Sequence, residues 1–118
     1  MLTVELPWPP SVNHYWVHTR RGTFITEKGI DYRLAVQAKL RAAKVYTPTE
    51  DRLRLDVECY PPDRRRRDLD NILKGLLLVS LAHGGLMKDD NQVKRLTVEM
   101  FDEVRGIVHV TAKRHGAH

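Results

Sequence analysis

The chain contains one cysteine, Cys59, among its 118 residues. No disulfide can form within it, and no cysteine-based zinc site can be built. Aromatic residues make up only 7%, so any stacking surface must come from a handful of positions. No apolar run approaches the roughly 20 residues of a membrane-spanning helix. The opening Met1-Leu2-Thr3-Val4-Glu5-Leu6-Pro7 has neither a basic leader region nor a long apolar core, so it does not read as a signal peptide. These absences lead to the expectation of a cytoplasmic protein with no membrane partner. There is no phosphate-binding loop, no Gly-x-Gly-x-x-Gly and no Ser-His-Asp ordering. Nucleotide-cofactor and covalent-hydrolase chemistries therefore have no support.

What the chain does have is positive charge. Twenty Lys and Arg against fifteen Asp and Glu leave a formal +5. A small basic protein favours polyanion partners, nucleic acid first. The length suits one domain spanning residues 1–118, since halves would be too small to bury adequate cores.

Periodicity supplies the elements. Leu2, Val4 and Leu6 alternate with Thr3 and Glu5, the pattern of a short strand ended by Pro7. Residues 7–24 show no period and read as a long ordered loop. A helix is expected from a Thr26 N-cap to about Lys44, with Ile30, Leu34 and Ala38 on one face and Val36 and Leu40 widening it. Residues 52–60 alternate without error, Leu53, Leu55, Val57 and Cys59 facing in. After Pro61-Pro62 a second helix runs from Asp68 or Leu69 to His83, stopped by Gly84-Gly85. Two strands follow. Leu96, Val98 and Met100 mark the first, Val104, Val108 and Val110 the second, and residues 102–106 read as a hairpin connection. The tail from Lys113 reads as frayed. The order β-α-β-α-β-β fits an α+β two-layer sandwich with helices packed on a mixed sheet.

The chemistry concentrates in Asp63-Arg64-Arg65-Arg66-Arg67-Asp68-Leu69-Asp70-Asn71. Asp89-Asp90 form a second acidic pair beyond the intervening helix. Carboxylates brought together repel unless a cation lies between them. Mg²⁺ suits a few carboxylates completed by water and phosphate oxygens, and neighbouring arginines can hold a phosphodiester. Lys74, four residues after Asp70, shares its helix face. The plainer alternative is that Asp68 caps the helix, Asp70 sits in its first turn and the arginines form a solvated turn. Trp8, Tyr15 and Trp16 could stack on unpaired bases or simply pack the loop. Helix residues 72–81 are apolar nearly all round, which calls for a second cover. A second subunit and the long N-terminal loop both satisfy that need.

The segment Pro61-Pro62-Asp63-Arg64-Arg65-Arg66-Arg67-Asp68-Leu69-Asp70-Asn71, with Lys74, resembles the core motif of the RusA family of Holliday junction resolvases. Leu6-Pro7-Trp8-Pro9-Pro10-Ser11-Val12-Asn13 resembles that family's opening, and Asp89-Asp90-x-Gln92-Val93 its third signature. The resemblance implies an endodeoxyribonuclease that resolves four-way DNA junctions by paired nicks, as a homodimer, with Mg²⁺ or Mn²⁺. It implies Asp68, Asp70 and Asp90 as metal-binding and catalytic residues, with Lys74 as a fourth catalytic residue. Asp90 is preferred to Asp89 by its alignment with Gln92-Val93. Arg64, Arg65, Arg66 and Arg67, with Arg20, Arg21 and Asn71, are expected on the DNA. Two departures stand out. Residues 76–81 carry no acid where family members carry one, and one extra residue separates Lys74 from Asp90. The competing functions are a flap-type structure-specific nuclease and a junction-binding module with weakened catalysis.

Overall fold

The computed structural model describes residues 2–11, 14, 16–73 and 78–116. Lys74, Leu76 and Leu77, together with Val12, Asn13 and Tyr15, lie outside the described residues. Four strands form the main sheet: β1 (Leu2–Pro7), β4 (Leu53–Tyr60), β5 (Val93–Met100) and β6 (Ile107–Arg114), in the order β1-β6-β4-β5. β6 is antiparallel to both β1 and β4, and β4 is parallel to β5. The expected α+β class and mixed sheet are therefore present.

One face of this sheet carries the core. Val108 of β6 stands between Leu6 of β1 and Cys59 of β4, and Val110 between Val4 and Val57. All six side chains are buried. The intervening residues Thr3, Glu5, Glu58, His109 and Thr111 face away from the core, as the two-residue period of a strand requires. Tyr32, Val36 and Leu40 of helix α1 (Glu27–Ala42) join the apolar face. Leu81, from α3 (Leu78–Gly84), and the following Leu86 and Met87 complete it.

The Thr26 hydroxyl caps α1 by accepting the Gly29 N–H at 3.2 Å. The helix ends at Ala42, and Lys44 turns the chain with φ 65°. Its buried face is not the expected one. Tyr32, Val36 and Leu40 point inward, while Ile30 and Leu34 are 44% and 57% exposed and Ala38 is exposed. The Tyr32 ring decides the rotation. It is apolar over most of its surface, and its hydroxyl donates to the Pro7 carbonyl at 2.8 Å, fixing α1 against the end of β1.

Four further expectations are corrected. Residues 7–24 are not one loop, because β2 (Trp16–Thr19) and β3 (Gly22–Ile25) pair as an antiparallel hairpin around Arg20-Arg21. β5 and β6 do not form a hairpin, because β4 lies between them. Val104 belongs to the connection rather than to β6 and is 43% exposed. The tail is ordered further than expected: Lys113 and Arg114 continue β6, and the His115 N–H donates to the Arg52 carbonyl at 2.8 Å.

The second helix is described in two pieces, α2 (Leu69–Ile72) and α3, with residues 74–77 outside the description. The stop at Gly84-Gly85 is as expected. Gly85 takes φ 105°, and the Leu86 N–H reaches back to the Leu81 carbonyl at 2.9 Å, the left-handed closure that favours glycine. Among the described residues no helix is long and apolar enough to cross a membrane.

Candidate active site and nucleic-acid interface

Pro61-Pro62 ends β4 and sends the chain into a loop knotted around Asp63. One oxygen of Asp63 accepts the Arg65 backbone N–H at 2.9 Å and meets the Arg67 guanidinium at 2.7 Å. The other meets the Arg65 guanidinium at 3.2 Å. Arg67 also donates to the carbonyls of Asp63 and Arg65, at 3.2 and 3.1 Å. The hydrogen bond from Arg67, followed by the Arg65 backbone N–H, holds the Asp63 carboxyl well below the usual carboxylate range. The four arginines are thus not equivalent. Arg67 is half-buried and lies 5.6 Å over the Trp8 ring, a cation–π contact that ties the loop to the N-terminal segment. Arg65 leans on Asp63 but stays largely exposed. Arg64 and Arg66 are exposed and, among the described residues, have no acidic partner.

An open cleft of about 720 Å³ separates Trp8, Pro9, Pro10, Ser11 and His14 from Arg65, Arg66, Arg67, Asp68, Asn71 and Ile72. Three arginines, one carboxylate and one amide therefore share one wall, and the N-terminal segment forms the other. A smaller hollow of about 420 Å³ lies on the far side of the loop, between Arg64 and Phe101-Asp102.

Asp68 is the N-cap residue of α2, with extended backbone, yet its side chain makes no capping hydrogen bond. The helix does not consume that carboxylate, so capping does not explain Asp68. Asp70 is exposed in the first turn of α2, and Asn71 is exposed beside it.

The second acidic pair divides differently. Asp89 caps the 3₁₀ helix Asp90–Gln92 and accepts the Asn91 N–H at 2.9 Å. The Gln92 side chain closes the box, its carbonyl accepting the N–H groups of Lys88 and Asp89, both at 2.9 Å. Its amide donates to the carbonyls of Thr49 and Asp51, also at 2.9 Å, and binds the turn to the segment before β4. The Asn91 N–H lowers the Asp89 carboxyl below its ordinary range. Asp89 and Gln92 are therefore occupied with structure. Asp90 is exposed at the first position of the turn, outside the cap.

Asp70 and Asp90 are not among the residues lining the large cleft. Among the described residues, no three His, Cys, Asp or Glu side chains lie close enough to hold a metal ion. The donor chemistry nonetheless fits a hard divalent cation. Such an ion needs only one or two protein carboxylates when water and phosphate oxygens complete its shell, and Asp68 offers an uncommitted one. Lys74, the expected cationic neighbour, lies outside the described residues. Arg20 and Arg21 are exposed at the tip of the β2–β3 hairpin, apart from the cleft.

Two roles escaped the sequence reading. The Asp63 clamp carried a signal, an Asp followed at two and four residues by Arg, which is the spacing of an Asx turn closed by a salt bridge. Gln92 carried half a signal, because Asp89-x-x-Gln92 is the spacing of a capping box, while its reach to Thr49 and Asp51, more than forty residues away, carried none.

A family model described as Endodeoxyribonuclease RusA matches residues 7–113. The chain is 49% identical over 104 residues to a crossover junction endodeoxyribonuclease of Enterobacteria phage HK97, a match covering 86% of this chain and 78% of that protein. It is 40% identical over 104 residues to the crossover junction endodeoxyribonuclease RusA of Shigella sonnei (strain Ss046), and 38% identical to that of Escherichia coli (strain K12). Each of these two matches covers 88% of this chain and 86% of the relative.

Proposed function

Because this chain belongs to the RusA family of endodeoxyribonucleases, we propose that it cuts four-way DNA junctions by paired, Mg²⁺-dependent nicks. Residues 1–118 act as one endonuclease domain, in the cytoplasm, as a homodimer that presents two sites to a two-fold junction. The observation that carries this reading is the cleft, in which Arg65, Arg66 and Arg67 stand beside Asp68 and Asn71. A phosphodiester lying along that wall meets guanidinium groups that bind it and a carboxylate left uncommitted by its helix.

Asp68, in the cleft, would hold Mg²⁺, or Mn²⁺ in its place, with Asp70 and Asp90 as the further carboxylates that the family resemblance assigns to it, although the structure does not gather the three. When bound, such an ion supplies an activated water and charge neutralisation at the phosphate. The protein's own contribution is placement. Arg66 and Arg64 bind backbone phosphates from exposed positions. Arg67, pinned by Asp63 and Trp8, fixes the path of the loop. Asn71 donates to the sugar-phosphate backbone at the cleft wall. Lys74 offsets negative charge developing on the phosphate.

Incubating a labelled mobile four-way junction, a flap and an intact duplex with Mg²⁺, Mn²⁺ or EDTA tests the reading. Symmetric nicks on the junction alone, lost in EDTA, are expected. Preferential flap cutting would make the protein a flap nuclease. Tight junction binding with no metal-dependent cutting would make it a binding module.

A further inference from the structure

The β2–β3 hairpin does not line the cleft, yet it carries an exposed apolar pair. Trp16 and Ile25 face each other across it and pack against the core. Val17 and Phe24 face each other on the opposite side, 43% and 49% exposed. Directly opposed residues share a face of a two-stranded ribbon, so an apolar pair with an aromatic ring projects outward. Arg20 and Arg21 form the tip, both exposed. Gly22, with φ 129°, and the Thr19 hydroxyl, which donates to the Gly22 carbonyl at 3.2 Å, hold the turn tight. No Asp or Glu occurs from Leu6 to Thr26, so the hairpin itself carries positive charge only.

Phe24 also differs from the two tryptophans of the same segment. The Trp8 ring is covered by Arg67 and the Trp16 ring by Arg33, each at 5.6 Å. The hairpin rises from the rim of the cleft, because the Thr26 hydroxyl at its base donates to the carbonyl of His14, which lines that cleft. Four residues of strand extend about 13 Å, the length of roughly four base steps of duplex.

We propose that this hairpin reads the branch point of the DNA: Phe24, backed by Val17, stacks on a base left unpaired where the strands part, while Arg20 and Arg21 hold the flanking phosphates. The occupant is nucleic acid because an exposed aromatic face beside two exposed arginines complements a base beside its phosphates. Stacking is indifferent to sequence but requires an unstacked base, so Phe24 gives selectivity for branched over intact DNA. This inference rests on the junction-nuclease reading.

The test is Phe24→Ala, Phe24→Leu and Phe24→Trp in the full chain, with binding measured in Ca²⁺ on a four-way junction and on duplex. A 2-aminopurine at the branch point reports stacking. Phe24→Ala and Phe24→Leu should weaken junction binding about 5- to 150-fold, the range for loss of one base–aromatic stack. They should change duplex affinity less than about two-fold and restore the 2-aminopurine fluorescence that the wild type quenches. Phe24→Trp should recover both signals. Arg20→Ala/Arg21→Ala should weaken both DNAs and lower the salt slope by about two. Equal losses on junction and duplex, or no loss, would overturn the inference. So would a change in light-scattering mass for Phe24→Ala, which would make the apolar pair a contact between subunits. If the wild type cuts junctions and Phe24→Ala behaves identically, this inference alone fails. If the wild type neither binds nor cuts them, the junction reading fails with it.

Discussion

Gly84→Ala perturbs the active-site scaffold without touching a proposed site residue. A Cβ added at Gly84 would lie 2.7 Å from the Val36 Cγ1 and 3.3 Å from its Cβ. Val36 is fully buried in α1, so the methyl cannot swing into solvent. Overpacking of this kind costs about 1–3 kcal/mol. Gly84 does not occupy the left-handed region, so alanine introduces no backbone strain and recovers about 0.5–1 kcal/mol of unfolded-chain entropy. The net destabilisation is about 1–2 kcal/mol, a fall in Tm of roughly 4–8 °C for a chain of this size. Val36→Ala alone should cost about 2–3 kcal/mol through lost burial and a cavity. In the double variant the new methyl fills the space that Val36 vacates, so the combined loss should fall short of the sum by about 1–2 kcal/mol. Thermal and urea melts of the four proteins measure this. Additivity within about 0.5 kcal/mol would refute the claimed contact. The 3₁₀ helix bearing Asp90 lies against α3, so Gly84→Ala should also slow junction cleavage well below its Tm, and adding Val36→Ala should restore part of the rate.

The acidic pair should separate by assay. Asp90→Asn should abolish cleavage and leave thermal stability without metal unchanged, whereas Asp89→Ala should lower stability through loss of the capping box; the reverse pattern would exchange their roles. Asp70→Asn should likewise lose cutting while junction binding persists or tightens, because repulsion from the phosphates is reduced; cleavage at the wild-type rate would remove Asp70 from the site. Arg64→Ala/Arg66→Ala should flatten the salt dependence of junction binding by about two with melting unchanged, and Arg67→Ala should lower both affinity and stability, since that guanidinium also holds Asp63 and Trp8. Burial pushes the Cys59 thiol up to about 11. A folded pKa raised above its unfolded value gives stability that is complete below the unfolded pKa and lost as pH rises towards 11. Denaturation midpoints should therefore fall between about pH 9 and 11 in the wild type, and the fall should shrink in Cys59→Ala.

Features whose cause lies within a few residues of themselves were legible in the sequence. The alternation of β4, the Thr26 cap and the Gly85 stop are each set by local geometry, and the structure repeats them. The Asp-Arg cluster was legible for the same reason, because its chemistry is written in adjacent residues. The neighbours of β5 were not. Leu96, Val98 and Met100 alternate as they would in a hairpin with β6, but β4 occupies the place between them and takes β5 as a parallel partner. A strand's period fixes which side chains share a face and says nothing about which strand lies beside it. The rotation of α1 was settled by a hydrogen bond from Tyr32 to Pro7, 25 residues away, and not by the more obvious stripe of Ile30 and Leu34. The adjacent pair Asp89 and Asp90, identical in composition, was separated by a local capping box, which tertiary contacts then anchor. Gln92 reaches Thr49 and Asp51 and closes a cap that engages Asp89, leaving Asp90 outside it. The arginine run was divided partly by the local Asp63 clamp and partly by Trp8, which reaches Arg67 only once the loop has folded back on the N-terminal segment. Residue type decided what chemistry the chain could carry, and local caps and clamps, anchored by long-range packing, decided which copy of each residue was left to carry it.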